Sequence, residues 1–153
     1  LQVDLNLPPR LNANYIDSKG EKKFPVMIHR AFFGSLERFI GILLEDTFGK
    51  LPLWLAPTQV VLANINDNCK EYCSEVLEKL KINSIRCKFD DRKEKLNYKI
   101  RESSIQKIPF IAVVGDKEVI NNTLTIRELG SESQYSVELN EFIKKIKNSC
   151  RIC

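Results

Sequence analysis

The chain predicts an α/β fold, on three observations. From Pro57 onward, short apolar and β-branched runs alternate with amphipathic helical periods, an order that builds a largely parallel sheet covered by helices. Before that point two strand-like segments and one helix stand apart, a strand-strand-helix unit with the look of a piece of an antiparallel sheet. Between them, residues 49–57 carry two prolines and no clear period, as a connection between domains does.

Element by element, Leu1, Val3, Leu5 and Leu7 alternate with Gln2, Asp4 and Asn6 at the strand period of two. Pro8-Pro9 interrupts that strand, a polar stretch over 12–23 turns at Gly20, and 24–30 supplies a second strand, so the pair reads as a hairpin cut from a larger sheet. Ser35 is placed to cap a helix, and Glu37 suits its positive end. Leu36, Phe39, Ile40, Leu43 and Leu44 recur at helical spacing until Phe48-Gly49. Residues 59–65 form a buried-type strand. Asp67 is expected to cap a helix whose apolar stripe is Cys69, Tyr72, Cys73, Val76, Leu77 and Leu80. Ile85, Cys87 and Phe89 alternate with Arg86, Lys88 and Asp90, a strand with one buried face. A charged loop over 90–95 leads into a helix over 96–106, and 109–115 is another buried strand. Residues 118–127 are expected to form a hairpin turning at Asn121-Asn122. Val137, Leu139, Phe142, Ile143 and Ile146 mark a final amphipathic helix.

The totals bound the rest. At 153 residues, the chain holds one good core and a small appendage. No run approaches the ~18 apolar residues of a membrane span, and no basic-then-apolar leader opens the chain, so the expectation is a cytoplasmic protein without membrane contact. The start at Leu1, inside a strand pattern, suggests a piece of a longer polypeptide. Five cysteines without framework spacing fit reduced thiols. Twenty-four basic against 20 acidic residues leave a net charge of +4, compatible with an anionic partner and decisive of nothing.

Several residues could do chemistry. Gly34 precedes Arg38 by four residues and Gly41 follows it by three, which would leave that helix face without bulk beside a permanent cation. A phosphate could then reach the guanidinium closely. The alternative is a surface arginine paired with Glu37 or Glu45. His29, the only histidine, is either a hydrogen-bonded strand residue or a zinc donor, and no second histidine exists to close a site with it. Cys69 and Cys73 fall on a buried stripe, whereas Cys150 and Cys153 have the spacing of half a zinc site without its second half. Arg92, Lys93, Lys95, Lys99, Arg101 and Lys107 gather around Tyr98, either as a grip on a nucleic-acid backbone or as a solvated face. No glycine-rich phosphate loop follows any strand, which removes the usual nucleotide-binding readings of an α/β domain.

These residues together resemble a known family. The runs Pro25-Val26-Met27-Ile28-His29-Arg30-Ala31, Gly34-Ser35, Glu37-Arg38-Phe39-Ile40-Gly41 and Leu53-Trp54-Leu55-Ala56-Pro57 look like the C-terminal part of the bacterial threonyl-tRNA synthetases, which are class II enzymes. The likeness continues through Tyr98-Lys99-Ile100-Arg101-Glu102, Ile108-Pro109-Phe110 and Gly115-Asp116-Lys117-Glu118-Val119. It implies three parts: 1–50 as the end of a catalytic domain with motif 3, 51–56 as a linker, and 57–153 as an anticodon-binding domain with a mixed, largely parallel sheet. Under the resemblance Arg38 is the motif 3 arginine that holds the phosphates of ATP, which is used with Mg2+. His29 becomes one of three protein ligands of a Zn2+ that binds threonine, while Ser35 and Gln2 reach the same pocket. Lys93, Glu118 and Arg127 match positions that contact anticodon bases. The implied partners are tRNA(Thr), threonine and ATP, in a homodimer. Position 93 departs from the family's usual Asn, which favours a phosphate contact there, and Glu128-Leu129-Gly130 is less basic than the family pattern. Motifs 1 and 2 and the other zinc ligands would precede Leu1, so this polypeptide alone is expected to be catalytically incompetent. The competing class is a non-catalytic module that binds tRNA or protein with the same α/β fold.

Overall fold

The computed structural model describes residues 1–131 and 133–150, in two compact units, Leu1–Glu45 and the residues from Asp46 on. In the first unit the alternating residues form β1 (Gln2–Asp4), and Pro8 and Pro9 start a helical turn, α1 (Leu7–Arg10). Proline suits a first helical turn because its missing N–H would have had no partner there. Two short strands, β2 (Tyr15–Ile16) and β3 (Lys22–Lys23), pair across a turn in which Gly20 takes a φ of +80°. β4 (Met27–His29) then returns antiparallel to β1, with Gln2 opposite His29 and Asp4 opposite Met27. Ser35 caps α2 (Leu36–Asp46) as expected, its Oγ accepting the Arg38 N–H at 3.3 Å. Phe48 and Gly49 follow with φ of +52° and +73°, a left-handed exit that glycine takes without strain.

In the second unit the strands and helices are β5 (Val60–Asn64), α3 (Lys70–Ile82), β6 (Cys87–Asp90), α4 (Leu96–Ile105), β7 (Phe110–Val114), α5 (Asp116–Asn121), β8 (Thr123–Glu128), β9 (Gln134–Glu138) and α6 (Leu139–Ser149). They build a five-stranded sheet in the order β6-β5-β7-β8-β9. β5 runs parallel to β6 and β7, while β8 is antiparallel to both of its neighbours. The sheet is therefore mixed. Because side chains alternate across a strand, Val60, Leu62, Phe110, Ala112, Val114, Leu124 and Ile126 share one face, and they enclose a core with Cys73, Val76 and Leu80 of α3 and Phe142, Ile143 and Ile146 of α6. Val61, Ala63, Ile111 and Val113 are buried on the other face, which α4 covers.

Three expectations are corrected. Asp67 opens a 3₁₀ turn ahead of α3 and bonds Lys70 at 2.9 Å instead of capping the helix. Residues 116–121 are helical, and Asn122 ends them in the left-handed region at φ +54°. Asn-rich pairs suit a hairpin turn and a helix C-cap for the same reason, tolerance of positive φ, so the sequence did not separate the two. The hairpin comes one step later, between β8 and β9. Val137 belongs to β9, and α6 starts only at Leu139.

Candidate nucleic-acid interface

The chain leaves β5 through α3 to reach β6, then passes back over β5 through α4 to reach β7. Where the two connections diverge, the carboxyl ends of parallel strands open a crevice, the usual ligand position in such sheets. Here it has a volume of about 400 Å3 and is lined by Asn64, Ile65, Asn66, Asp67, Arg92, Lys93, Glu94, Lys95 and Lys99.

The structure sorts the predicted basic cluster. Arg92 is committed to Asp90, at 2.8 and 2.7 Å, and to Glu102, at 2.6 Å. Lys99 is only 2% exposed and belongs to the interior. Lys107 lies past the far end of α4. Lys93 and Lys95 stand exposed on the crevice wall with no ion pair among the described residues, which leaves their charge available to an anion.

Glu118 is set by α5. One carboxylate oxygen accepts the Gly115 N–H at 2.9 Å, closing the first turn, and the other accepts the Thr125 hydroxyl at 2.8 Å. Burial pushes this carboxyl up, but the bonds from Thr125 and Gly115 outweigh it and hold the group below its ordinary value. It is ionised at neutral pH and repels phosphate, so what it can accept is an N–H of a base. Arg127 lies opposite Ile111 on β8, two residues beyond Thr125 and hence on the same face, with no ion pair among the described residues. Glu118, through Thr125, and Arg127 thus share one face of the sheet, and neither lines the crevice. Lys93 does line it, and no hydrogen bond or ion pair among the described residues joins it to either.

In the first unit the pairing of Gln2 with His29 puts both side chains on one face of the β1–β4 ribbon. His29 Nε2 meets Asp4 Oδ2 at 3.2 Å. The backbone N–H groups of Leu7 and Asn6, with His29, hold the Asp4 carboxyl below its ordinary value. Arg38 is exposed on α2 and makes no ion pair with Glu37 or Glu45. Nothing lies within 4 Å of where a Cβ on Gly41 would sit, so that side of the arginine is open. Gly34 lies before the helix at φ +71°, so the helical spacing assigned to it is corrected to Gly41 alone. Ser35 Oγ is occupied by its cap. No group of three His, Cys, Asp or Glu among the described residues is arranged to hold a metal ion. Cys69 and Cys73 are core, and burial pushes the Cys73 thiol up to about 11. Cys153, the second member of the terminal pair, lies outside the described residues.

Sequence reasoning missed Asp4, Asn64, Asn66 and the structural role of Lys99. A signal for the last existed, because Leu96, Lys99 and Ser103 share the helix face turned toward the sheet, where lysine is out of place.

The family model described as an anticodon binding domain matches residues 59–149, and that of the tRNA synthetase class II core domain (G, H, P, S and T) matches residues 1–47. Among similar proteins, the threonine–tRNA ligase of Caulobacter vibrioides (strain NA1000 / CB15N) is 53% identical over 148 residues, covering 97% of this chain and 23% of the relative. That of Bartonella quintana (strain Toulouse) is 51% identical over 147 residues, covering 96% and 22%. The chain thus spans under a quarter of the length of these curated relatives. A crystal structure of the RNA binding domain of threonyl-tRNA synthetase from Cryptosporidium parvum Iowa II superposes with a TM-score of 0.74 at 34% identity, over 97% of this chain and 38% of the other. A prolyl-tRNA synthetase from Cryptosporidium parvum, at 20% identity and a TM-score of 0.65, shares the fold.

Proposed function

This chain belongs to the anticodon binding domain family, and from that premise we propose that it reads the anticodon of tRNA(Thr) as part of a threonine–tRNA ligase. The observation that supports this most is the crevice lined by the free ammonium groups of Lys93 and Lys95, in a domain whose α5 holds an ionised Glu118 hydrogen-bonded to Thr125, on the sheet face that also carries Arg127. Cations draw the phosphate backbone to the site, and a fixed carboxylate beside an arginine tells one base edge from another. Lys93 serves the phosphate; Glu118 and Arg127 serve the bases.

In this reading residues 1–50 close the amino-acid-activating site, 51–56 connect, and 57–153 bind RNA. Arg38 holds the phosphates of ATP, delivered with Mg2+, through an exposed guanidinium that no carboxylate of its own helix engages. Gln2 and Ser35 border the same pocket. His29 fits a zinc ligand so far as one ring nitrogen is oriented by Asp4 and the other is the one that can ligate, the usual carboxylate support for a metal-bound histidine. Zn2+ bound there with two further protein ligands would select threonine by its hydroxyl. The complete enzyme works as a cytoplasmic homodimer. A non-catalytic module of the same fold would have no use for an open arginine and a carboxylate-held histidine in the first unit.

Titration of the 153-residue chain with tRNA(Thr), and with the same tRNA carrying a scrambled anticodon, tests the proposal. We expect weak binding that falls steeply with salt and is weaker still for the scrambled form. Arg127→Ala should cost ~1–3 kcal/mol with tRNA(Thr) and relax discrimination, whereas Lys93→Met should weaken both RNAs alike and flatten the salt slope by about 1. Equal binding of the two RNAs by the unaltered chain would remove anticodon reading. Threonine-dependent exchange of pyrophosphate into ATP should be undetectable with this polypeptide, and Arg38→Ala should abolish it in a full-length enzyme.

A further inference from the structure

We infer that Lys99 and Asn64 form a positioning pair that ties the Lys93 loop at the crevice to the helix carrying Glu118, so that the two keep one spacing. This rests on the crevice being where RNA is read, but part of it can be tested without RNA. The Lys99 ammonium donates to Asn64 Oδ1 at 3.0 Å, to the Asn64 carbonyl at 3.3 Å and to the Asp90 carbonyl at 3.0 Å. Its three N–H groups therefore meet three acceptors at the ends of β5 and β6. Asp90 is the residue from which the loop bearing Lys93 departs. On the other side, Asn64 Nδ2 donates to the Asn66 carbonyl at 3.0 Å, and Asn66 Nδ2 donates to Asp116 Oδ2 at 3.2 Å. Asp116 is the first residue of α5, two before Glu118. A continuous chain of hydrogen bonds thus runs from the root of the Lys93 loop to the base of the Glu118 helix, through one buried amine.

Packing does not explain the amine. An aliphatic side chain of similar length would fill the space without the cost of desolvating a charge, and well-packed apolar replacements of buried charges are often no less stable. What methionine could not do is hold two strand-end carbonyls and an asparagine side chain at one point. The neighbouring charges do not compete for it, since Arg92 occupies the Asp90 carboxylate and Lys70 that of Asp67. No buried polar side-chain atom among the described residues is left without a partner, so the network is complete.

The test is Lys99→Met in the 153-residue chain, which keeps the stem and removes the donors. Backbone amides of 91–95 should exchange with solvent about fivefold to tenfold faster, the scale of one lost buried hydrogen bond. The ratio of affinities for tRNA(Thr) and its scrambled form should fall toward one while the salt slope stays unchanged, because Lys93 and Lys95 are intact. Asn66→Ala, at an exposed position that does not threaten folding, breaks only the link to Asp116. It should lower discrimination and leave the protection of 91–95 as it was. Ile146→Val, on the opposite sheet face, is the destabilising control and should change neither readout. Unaltered protection of 91–95 in Lys99→Met would overturn the brace, and full discrimination in Asn66→Ala would overturn the coupling to α5. If the unaltered chain itself fails to discriminate, the RNA reading falls, and the exchange measurement still decides the role of Lys99.

Discussion

At the scale of residues, Arg86 and Gln59 show how side chains turn a nominal linker into part of a domain. Arg86 Nε donates to the Ala56 carbonyl at 2.9 Å and its terminal nitrogen to that of Trp54 at 2.8 Å. Gln59, 3% exposed, donates to the Leu53 carbonyl at 2.9 Å and accepts the Arg86 N–H at 2.9 Å. The prolines over 51–57 predicted a connection between domains, and its carbonyls are taken up by two polar side chains of the second unit. No period in the sequence announces such bonds, because they depend on residues brought together by the strand pairing. Arg86→Ala should therefore cost about 1–3 kcal/mol in urea unfolding, the range for charge-assisted bonds to the backbone, where a surface arginine would cost almost nothing. Glu118 has a pH signature of its own. Its folded-state affinity for a proton is below the ordinary value, so its contribution is full above about pH 5 and is lost as the pH falls through the folded value. The stability difference between the native chain and Glu118→Gln should be constant from pH 6 to 8, about neutral on either side, and shrink in acid. A difference that grew in acid would mean that Glu118 is held neutral in the fold.

At the scale of elements, the periodic segments were legible and the short turn-bounded ones were not. The apolar stripe from Cys69 to Leu80 became the buried side of a 3₁₀ turn and α3, and the two continuous apolar runs became β5 and β7, buried on both faces. Such patterns survive because burial of a face is what fixes them. Residues 116–121 and 134–138 failed because α5 spans only six residues and β9 alternates weakly, with only Tyr135 and Val137 half-buried, whereas 123–127 became a strand as expected. In such short pieces the same asparagine serves a turn or a cap. The left-handed φ of Asn122 makes the helical assignment testable. Asn122→Val should destabilise by ~1–2 kcal/mol, since β-branched side chains are strained there, whereas Asn122→Gly should be neutral or slightly stabilising. Equal effects of the two in thermal unfolding would argue that α5 does not end at this residue.

At the scale of the whole molecule, the two units differ in what holds them. From Val60 to Ile146 a continuous core of buried side chains joins both central strands to α3 and α6. In Leu1–Glu45, by contrast, Pro8 is the only buried residue among those described, and Leu36, Ile40, Ile42 and Leu44 of α2 are all exposed. At ~25 cal/mol per Å2, apolar surface left in water contributes nothing to folding, and a short helix without a packed face is marginal by itself. The candidate residues sort along the same line. Lys93 and Arg127 sit on a framework that the sequence predicted through its buried strands and Glu118 on the short α5 that it did not, whereas Gln2, His29 and Arg38 were legible only as motifs, since no local core positions them. Local stability should follow. Hydrogen exchange of the isolated chain should show the amides of 60–64 and 110–114 opening only with global unfolding, while those of 36–46 exchange at least about a hundredfold faster, with only local helix bonds to protect them. Protection of α2 equal to that of β5 would mean that the first unit is stabilised by burial this structure does not contain, as self-association of its apolar face would provide, and dilution would then restore fast exchange.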